Sequence, residues 1–171
     1  MDERKGVVTF AGNPLTLLGS ELKAGVQAPE FTLLANDLSP KKLSDYKGKA
    51  LVISVVPSID TGVCDAQTKR FNLEAAALGD NVQSLSISCD LPFAQARWCG
   101  AAGVSNLQTL SDHLNLNFGL AYGVAIKELR LLARGVFVLD KNHKVVYTQI
   151  VPEMTNSVDF DAALAAVKKV A

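Results

Sequence analysis

The stretch Leu51-Val-Ile-Ser-Val-Val56 restricts what this chain can fold into more than any other. It is rich in β-branched residues and shows no polar alternation, the pattern of a central strand covered on both faces. Pro57 has no N–H to give a ladder and ends the strand. From Gly62 to about Leu78 the period changes. Phe71, Ala75 and Leu78 recur at i, i+4, i+7, while Lys69, Arg70 and Glu74 fall toward solvent, which predicts a helix. A buried strand followed at once by a helix is a building unit of layered α/β proteins.

The remaining elements follow from pattern and punctuation. Val7–Phe10 and Leu15–Leu18 flank Ala11-Gly-Asn-Pro14 and read as an N-terminal β-hairpin. Phe31–Leu34 and Leu107–Leu110 are short strands, and Val82–Ser88 is a second buried one. Pro92 to about Ala102 reads as a helix, with Pro92 in its first turn and Gly103 to stop it. Asp112 to about Tyr122 reads as another, stopped by Gly123. Gly135–Leu139 and Lys144–Ile150 pair across Asp140-Lys-Asn-His143, where His143 is expected in solvent. Asp159–Ala171 closes the chain as a helix, with Phe160, Leu164 and Val167 at helical spacing. The expected architecture is one α/β domain spanning residues 1–171: a thioredoxin-like fold, with a central mixed β-sheet flanked by helices and an N-terminal hairpin.

Charge and composition narrow the partners. Seventeen basic and 17 acidic residues cancel without forming blocks, which argues against a nucleic-acid or anionic-membrane partner. No apolar run approaches the roughly 20 residues of a membrane span. The opening Met1-Asp-Glu-Arg-Lys-Gly is charged and leads into a strand rather than a signal-peptide core, so a cytoplasmic location is expected. Cys64, Cys89 and Cys99 are too few and too scattered for a disulfide scaffold, and His113 and His143 are isolated, so no metal site is expected.

Cys64 has the most distinctive surroundings. It follows the buried strand and lies in the first turn of the expected helix, where free N–H groups and the helix dipole favour an anion. The thiolate is the nucleophilic form of cysteine, so placement alone makes Cys64 a candidate for reactivity. Thr61, three residues earlier, is placed either to cap the helix or to hydrogen-bond an oxygen at the sulfur, and the two roles are compatible. Pro57 either only ends the strand or also shields one side of the site. Asp60 is read as a cap or loop residue, because a carboxylate against the sulfur would oppose the thiolate.

Pro57-x-x-x-Thr61-x-x-Cys64 resembles the active-site signature of the peroxiredoxin family, and the full Pro57-Ser-Ile-Asp-Thr-Gly-Val-Cys64 is similar to that of its bacterial atypical two-cysteine thiol peroxidase branch. Asp90-Leu-Pro-Phe-Ala-Gln-Ala-Arg-Trp-Cys-Gly100 resembles the segment that carries the resolving cysteine of that branch. Gly12-Asn-Pro14, Ala121-Tyr-Gly-Val-Ala-Ile126 and Leu132-Ala-Arg134 match further blocks, in order, along nearly the whole chain. The resemblance implies that Cys64 attacks the peroxide, with Pro57 and Thr61 as pocket partners and Arg134 holding the thiolate. It implies that Cys99 resolves the oxidised product through an intramolecular Cys64–Cys99 disulfide, and that thioredoxin returns the dithiol in a homodimeric enzyme that uses no cofactor. Two cysteines on separate helices would need local unwinding to reach the 4.4–6.8 Å Cα separation of a disulfide.

Other readings of the same residues are open to test. Cys64-Asp-Ala-Gln67 lacks the second thiol of a Cys-x-x-Cys oxidoreductase. Cys89, which ends the strand Leu85–Cys89, is read as a packing residue. A non-enzymatic redox switch would share the first chemical step, and a one-cysteine peroxidase would do without Cys99. Turnover separates the first from a peroxidase, and a Cys99→Ser variant separates the second.

Overall fold

In a computed structural model that describes residues 1–171, the apolar run becomes a strand whose six residues are all buried. In chain order the strands are β1 (Glu3–Phe10), β2 (Asn13–Leu18), β3 (Thr32–Leu34), β4 (Pro40–Lys42), β5 (Ala50–Val55), β6 (Val82–Ser88), β7 (Gln108–Ser111), β8 (Ala125–Ile126), β9 (Gly135–Leu139) and β10 (Val145–Ile150). The helices are α1 (Gly62–Leu78), α2 (Pro92–Ala102), α3 (Asn117–Ala121) and α4 (Phe160–Lys168), with a single 3-10 turn at Leu43–Tyr46.

Seven strands form the main sheet in the order β10-β9-β5-β6-β7-β3-β4. The β5–β6 and β6–β7 pairs are parallel, whereas β9 and β3 join antiparallel, so the sheet is mixed. Alternation along β5 divides the core. Leu51, Ile53 and Val55 enter the larger apolar cluster with Leu85, Ile87, Phe118, Tyr122 and Phe137. Ala50 and Val52 meet Phe71 of α1 and Ala163 and Val167 of α4 on the other face. A strand buried on both sides has no position for a solvated side chain, which is why the run lacks polar alternation. Helices therefore cover both faces, as the pattern predicts.

The hairpin β1–β2 forms a separate sheet with β8, in the order β1-β2-β8. Val8, Leu15, Leu17 and Ile126 from this sheet bury into the same large cluster. Its turn is tighter than expected: Ala11 and Gly12 make the bend at φ +49° and +80°, and Asn13 and Pro14 already belong to β2. The hairpin tip is fastened to the segment after β10. Thr9 N–H donates to Pro152 O at 2.7 Å and Met154 N–H to Thr9 O at 2.9 Å.

Two expectations need correction. The helix expected over 112–122 shrinks to Asn117–Ala121. The Asp112 side chain accepts the N–H groups of Gly119 at 2.8 Å and Phe118 at 3.3 Å, and Leu116 turns to φ +52°, so the chain makes a capped turn before the helix. The short strands β4 and β8 carry no pattern long enough to read. His143 is buried rather than solvated, because a φ of +61° turns it inward, where its Nε2 lies 3.1 Å from Tyr46 O.

Burial pushes the Asp112 carboxyl up to about 6, against the N–H groups of Gly119 and Phe118 that favour the carboxylate. The folded value lies above the unfolded one near 3.9, so between them the native state holds a proton that the unfolded state has lost. Stability from this group is full below about pH 4 and falls as the pH rises through about 6, by up to about 3 kcal/mol. Denaturant melts of the wild type and Asp112→Asn from pH 4 to 7 should show the difference between them shrinking with pH by this amount. A pH-independent difference would contradict the assignment.

Candidate active site

β5 delivers the chain to one end of the sheet, and the buried Pro57 carries it into the turn before α1. Thr61 occupies the N-cap position at φ −102°, ψ 146°, yet its side chain makes no capping bond. Its hydroxyl donates weakly to Ser58 O at 3.4 Å. Asp60 does not cap the helix either: its N–H donates to Ser58 Oγ at 3.2 Å. Cys64, third residue of α1, is 0% exposed and packs with Val56 and Ile59 beneath the partly buried Trp98.

The sulfur meets Arg134. This arginine precedes β9, is only 2% exposed, and spends every nitrogen of its guanidinium. Nη2 donates to Cys64 Sγ at 3.2 Å, Nη1 to Gln67 Oε1 at 2.9 Å and Nε to Met154 O at 2.8 Å. None of the ion pairs in the chain includes it. A buried cation without a carboxylate partner is costly, and it creates a strong preference for negative charge at the atoms it faces. Of the three atoms it faces, only the cysteine sulfur can ionise.

Two supports hold the arginine in place. Gln67 lies one helical turn after Cys64, on the same face of α1, and its Nε2 donates to Ser54 Oγ of β5 at 2.8 Å. That bond orients the amide so that its oxygen points to Arg134. Met154 is fixed through its neighbour Glu153, whose carboxylate accepts from Thr9 Oγ1 at 2.7 Å, from the N–H groups of Ala11 and Gly12 at 3.0 Å each, and from Thr155 N–H at 3.1 Å and Oγ1 at 2.8 Å. The Thr9 hydroxyl, the Gly12 N–H and Thr155 hold its carboxyl down at about 2. The hairpin tip, the segment after β10 and the arginine therefore form one connected support.

Above this support opens a cavity of about 290 Å³, lined by Phe10, Pro57, Thr61, Leu129, Leu131 and Arg134 among others. Its walls are almost wholly apolar and its charged group is Arg134. Pro57, Thr61 and Arg134 thus share one cavity, and the arginine connects it to the Cys64 sulfur.

Cys99 lies elsewhere. It sits in the last turns of α2, half-buried, with Sγ 3.5 Å from Thr109 Oγ1, and lines a separate, more polar cavity of about 420 Å³ with Asn36 and Gln108. All three cysteines are free thiols. Cys89 packs against the large cluster, where burial and then the Asp112 carboxylate push its thiol up to about 12. It is a protonated thiol at neutral pH, in keeping with a packing residue.

Gln67 and the Glu153–Met154 segment are the site residues not singled out from sequence. Gln67 had a signal: an uncharged polar residue three positions after the cysteine, on the face of α1 that also buries Phe71. Ser54, the one polar residue inside the apolar run, is its counterpart. Met154 acts through a backbone oxygen, which leaves no trace in residue identity.

Comparison with known proteins gives the family. The Redoxin family model matches residues 23–166. The chain is 62% identical over 161 residues to a thiol peroxidase of Bacillus subtilis (strain 168), covering 94% of this chain and 96% of that one. It is 58% identical over 163 residues to a thiol peroxidase of Staphylococcus aureus (strain MRSA252), covering 95% and 98%. Among solved structures, a peroxiredoxin-like protein from Aquifex aeolicus superposes with a TM-score of 0.90 at 40% identity over 98% of each chain. A thiol peroxidase from Chromobacterium violaceum shares the fold at a TM-score of 0.85 and 21% identity, over 99% of this chain and 98% of that one. With a matching family model and close relatives along nearly its full length, the chain belongs to the Redoxin family, as a peroxiredoxin-type thiol peroxidase.

Proposed function

We propose that the chain, as one thioredoxin-like domain over residues 1–171, reduces hydrogen peroxide and organic hydroperoxides through a Cys64 sulfenic acid and an intramolecular Cys64–Cys99 disulfide, which thioredoxin returns to the dithiol. The observation that carries this reading is the buried Arg134 guanidinium, 3.2 Å from the Cys64 sulfur and without a carboxylate partner.

In the first step the Cys64 thiolate attacks the outer oxygen of a hydroperoxide held in the cavity beside Arg134. The O–O bond breaks, sulfur gains an S–OH group, and the departing alkoxide or hydroxide takes up a proton to leave as alcohol or water. Arg134 and the Thr61 hydroxyl act as donors to the peroxide oxygens, where charge grows in the transition state. In the second step the Cys99 thiol condenses with the sulfenic acid, forming the S–S bond and releasing water. Thioredoxin then supplies two electrons and two protons by thiol–disulfide exchange. The sulfur carries the redox change, so the reaction calls for no cofactor or metal. A homodimer working in the cytoplasm completes the reading, supported by the kinship with bacterial thiol peroxidases.

A thioredoxin-coupled peroxidase assay tests the cysteine roles together. Cys64→Ser should be inactive, Cys99→Ser should reduce one equivalent of peroxide and then stop under thioredoxin, and Cys89→Ser should turn over like the wild type. Wild-type protein that consumes only one equivalent would instead mark a redox switch, and intersubunit links alone in peroxide-treated protein would overturn the Cys64–Cys99 pairing.

The arginine's support makes a second expectation. Gln67→Leu keeps the size of the side chain and removes one hydrogen bond to a charged group, so kcat/KM for peroxide should fall about 10- to 100-fold, and the melting temperature should fall with it because a buried donor is left unmet. Arg134→Lys, which keeps the charge but loses the fork, should fall by about 100-fold or more. Equal rates for Gln67→Leu and wild type would remove Gln67 from the site.

The apolar walls should also select substrate. An alkyl hydroperoxide buries its chain against Phe10, Leu129 and Leu131, where each methylene contributes about 0.8 kcal/mol. Cumene or tert-butyl hydroperoxide should therefore show a lower KM than hydrogen peroxide, and Leu131→Ser should reduce that difference. The same KM for all three substrates would contradict this role for the cavity.

A further inference from the structure

The helix that carries Cys99 is anchored unequally. At its start, Pro92 and Gln95 are buried, and Gln95 Nε2 donates to Ser88 Oγ and to Leu110 O, each at 3.0 Å. Just before it, the Asp90 carboxylate accepts from Ser58 Oγ at 2.7 Å, from Ile59 N–H at 2.8 Å and from Ser88 Oγ at 2.6 Å. The first turn is thereby tied to β6, to β7 and to the turn that leads into Cys64. Beyond α2 the chain is held again, where Ser105 and Asn106 donate their N–H groups to Asn72 Oδ1 of α1 at 3.1 and 2.8 Å.

Between these anchors, residues 96–104 include no buried residue. Their side chains make two hydrogen bonds to the rest of the protein. Trp98 Nε1 donates to Asp65 Oδ1 at 2.9 Å, which lays the indole over the cluster of Val56, Ile59 and Cys64. Cys99 Sγ lies 3.5 Å from Thr109 Oγ1, and the Thr109 hydroxyl donates its own proton to Asn36 Oδ1 at 2.9 Å, so the thiol is the donor of the first pair. Both contacts oppose the movement that would bring Cys99 to Cys64: one fills the approach with an indole, and the other holds the thiol toward β7. Four residues separate Gln95 from Cys99, about 6 Å along a helix and up to about 14 Å when extended. Unwinding from Ala96 onward gains that reach while both anchors stay in place.

We propose that Asp65, through Trp98, and Thr109, through Cys99, are positioning residues: their two hydrogen bonds hold α2 helical from Ala96 to Ala102 against the local unwinding that the disulfide reading requires. The two latches set how fast the disulfide closes, and hence how long the sulfenic acid is exposed to a second peroxide that would oxidise it to sulfinic acid. The proposal rests on the disulfide reading given above.

Rapid-quench alkylation and mass spectrometry on the full-length protein separate the steps. Trp98→Phe keeps most of the packing and removes the N–H, and Thr109→Val keeps the shape and removes the hydroxyl. Each should speed Cys64–Cys99 disulfide formation from the sulfenic acid about 5-fold and lower the sulfinic fraction at high peroxide, and in Thr109→Val the second-order rate of Cys64 oxidation should stay at the wild-type value. Asp65→Asn, which retains an acceptor oxygen for the indole, should close at close to the wild-type rate, whereas Asp65→Ala should match Trp98→Phe. Hydrogen exchange of the reduced proteins gives a second measurement: amides of residues 96–104 should exchange faster than that of Gln95, and faster still in Trp98→Phe. Unchanged or slower closure from the sulfenic acid in the variants overturns the latches. A wild type that forms no Cys64–Cys99 bond overturns the disulfide reading and the latches with it.

Discussion

The contact between the Arg134 guanidinium and the Cys64 sulfur is the interaction around which the rest of the site is arranged. A cation removed from water needs every donor met, and this one meets a glutamine oxygen, a backbone carbonyl and a sulfur, none of which is a carboxylate. Each partner comes from a different part of the chain. Cys64 and Gln67 come from α1, Met154 from the segment after β10, and Ser54 of β5 orients the glutamine. The N-terminal hairpin joins the same support, because Glu153 accepts N–H groups from its bend and thereby fixes the neighbouring Met154. A surface hairpin far from the cysteine in sequence thus helps to hold a charge beside it.

Three thiols in one small protein occupy three different environments, and the environment decides what each can do. Cys64 is buried but faces a guanidinium and adjoins an apolar cavity. Cys89 is half-buried against the large cluster, where burial first and the Asp112 carboxylate second push its thiol up. Cys99 is half-buried beside a hydroxyl and opens to a different, polar cavity. Burial by itself does not separate a reactive cysteine from an inert one. What each sulfur faces differs as well: a guanidinium at Cys64 and the Asp112 carboxylate near Cys89.

The fold also reconciles a rigid site with a step that needs motion. The residues around Cys64 are held from all sides by β5, β9 and α1. Those around Cys99 belong to a helix whose first turn is bound into the sheet and whose last turns lie on the surface. The Asp90 carboxylate belongs to the first half and holds the turn before Cys64 through Ser58 and Ile59, independently of the second half of α2. The proposed opening falls on a segment that contributes little to the core, where opening is least costly.

The sequence by itself determined the elements with long, consistent patterns. The β5 run, the two long helices and the strands β6 and β9 were legible because burial on two faces, or on one helical stripe, imposes a period that local chemistry can express. It also singled out Cys64, since a helix N-terminus after a buried strand is a local feature, and the family resemblance pointed to Arg134 and Cys99. Only the tertiary structure decided what meets what. Asp112 reaching forward to cap α3, His143 turning inward on a positive φ, and Gln67 and Met154 holding the arginine all depend on side chains or carbonyls brought together from distant strands. No spacing in a single segment encodes such contacts, because they are set by how sheets and helices pack, and packing is a property of the whole chain.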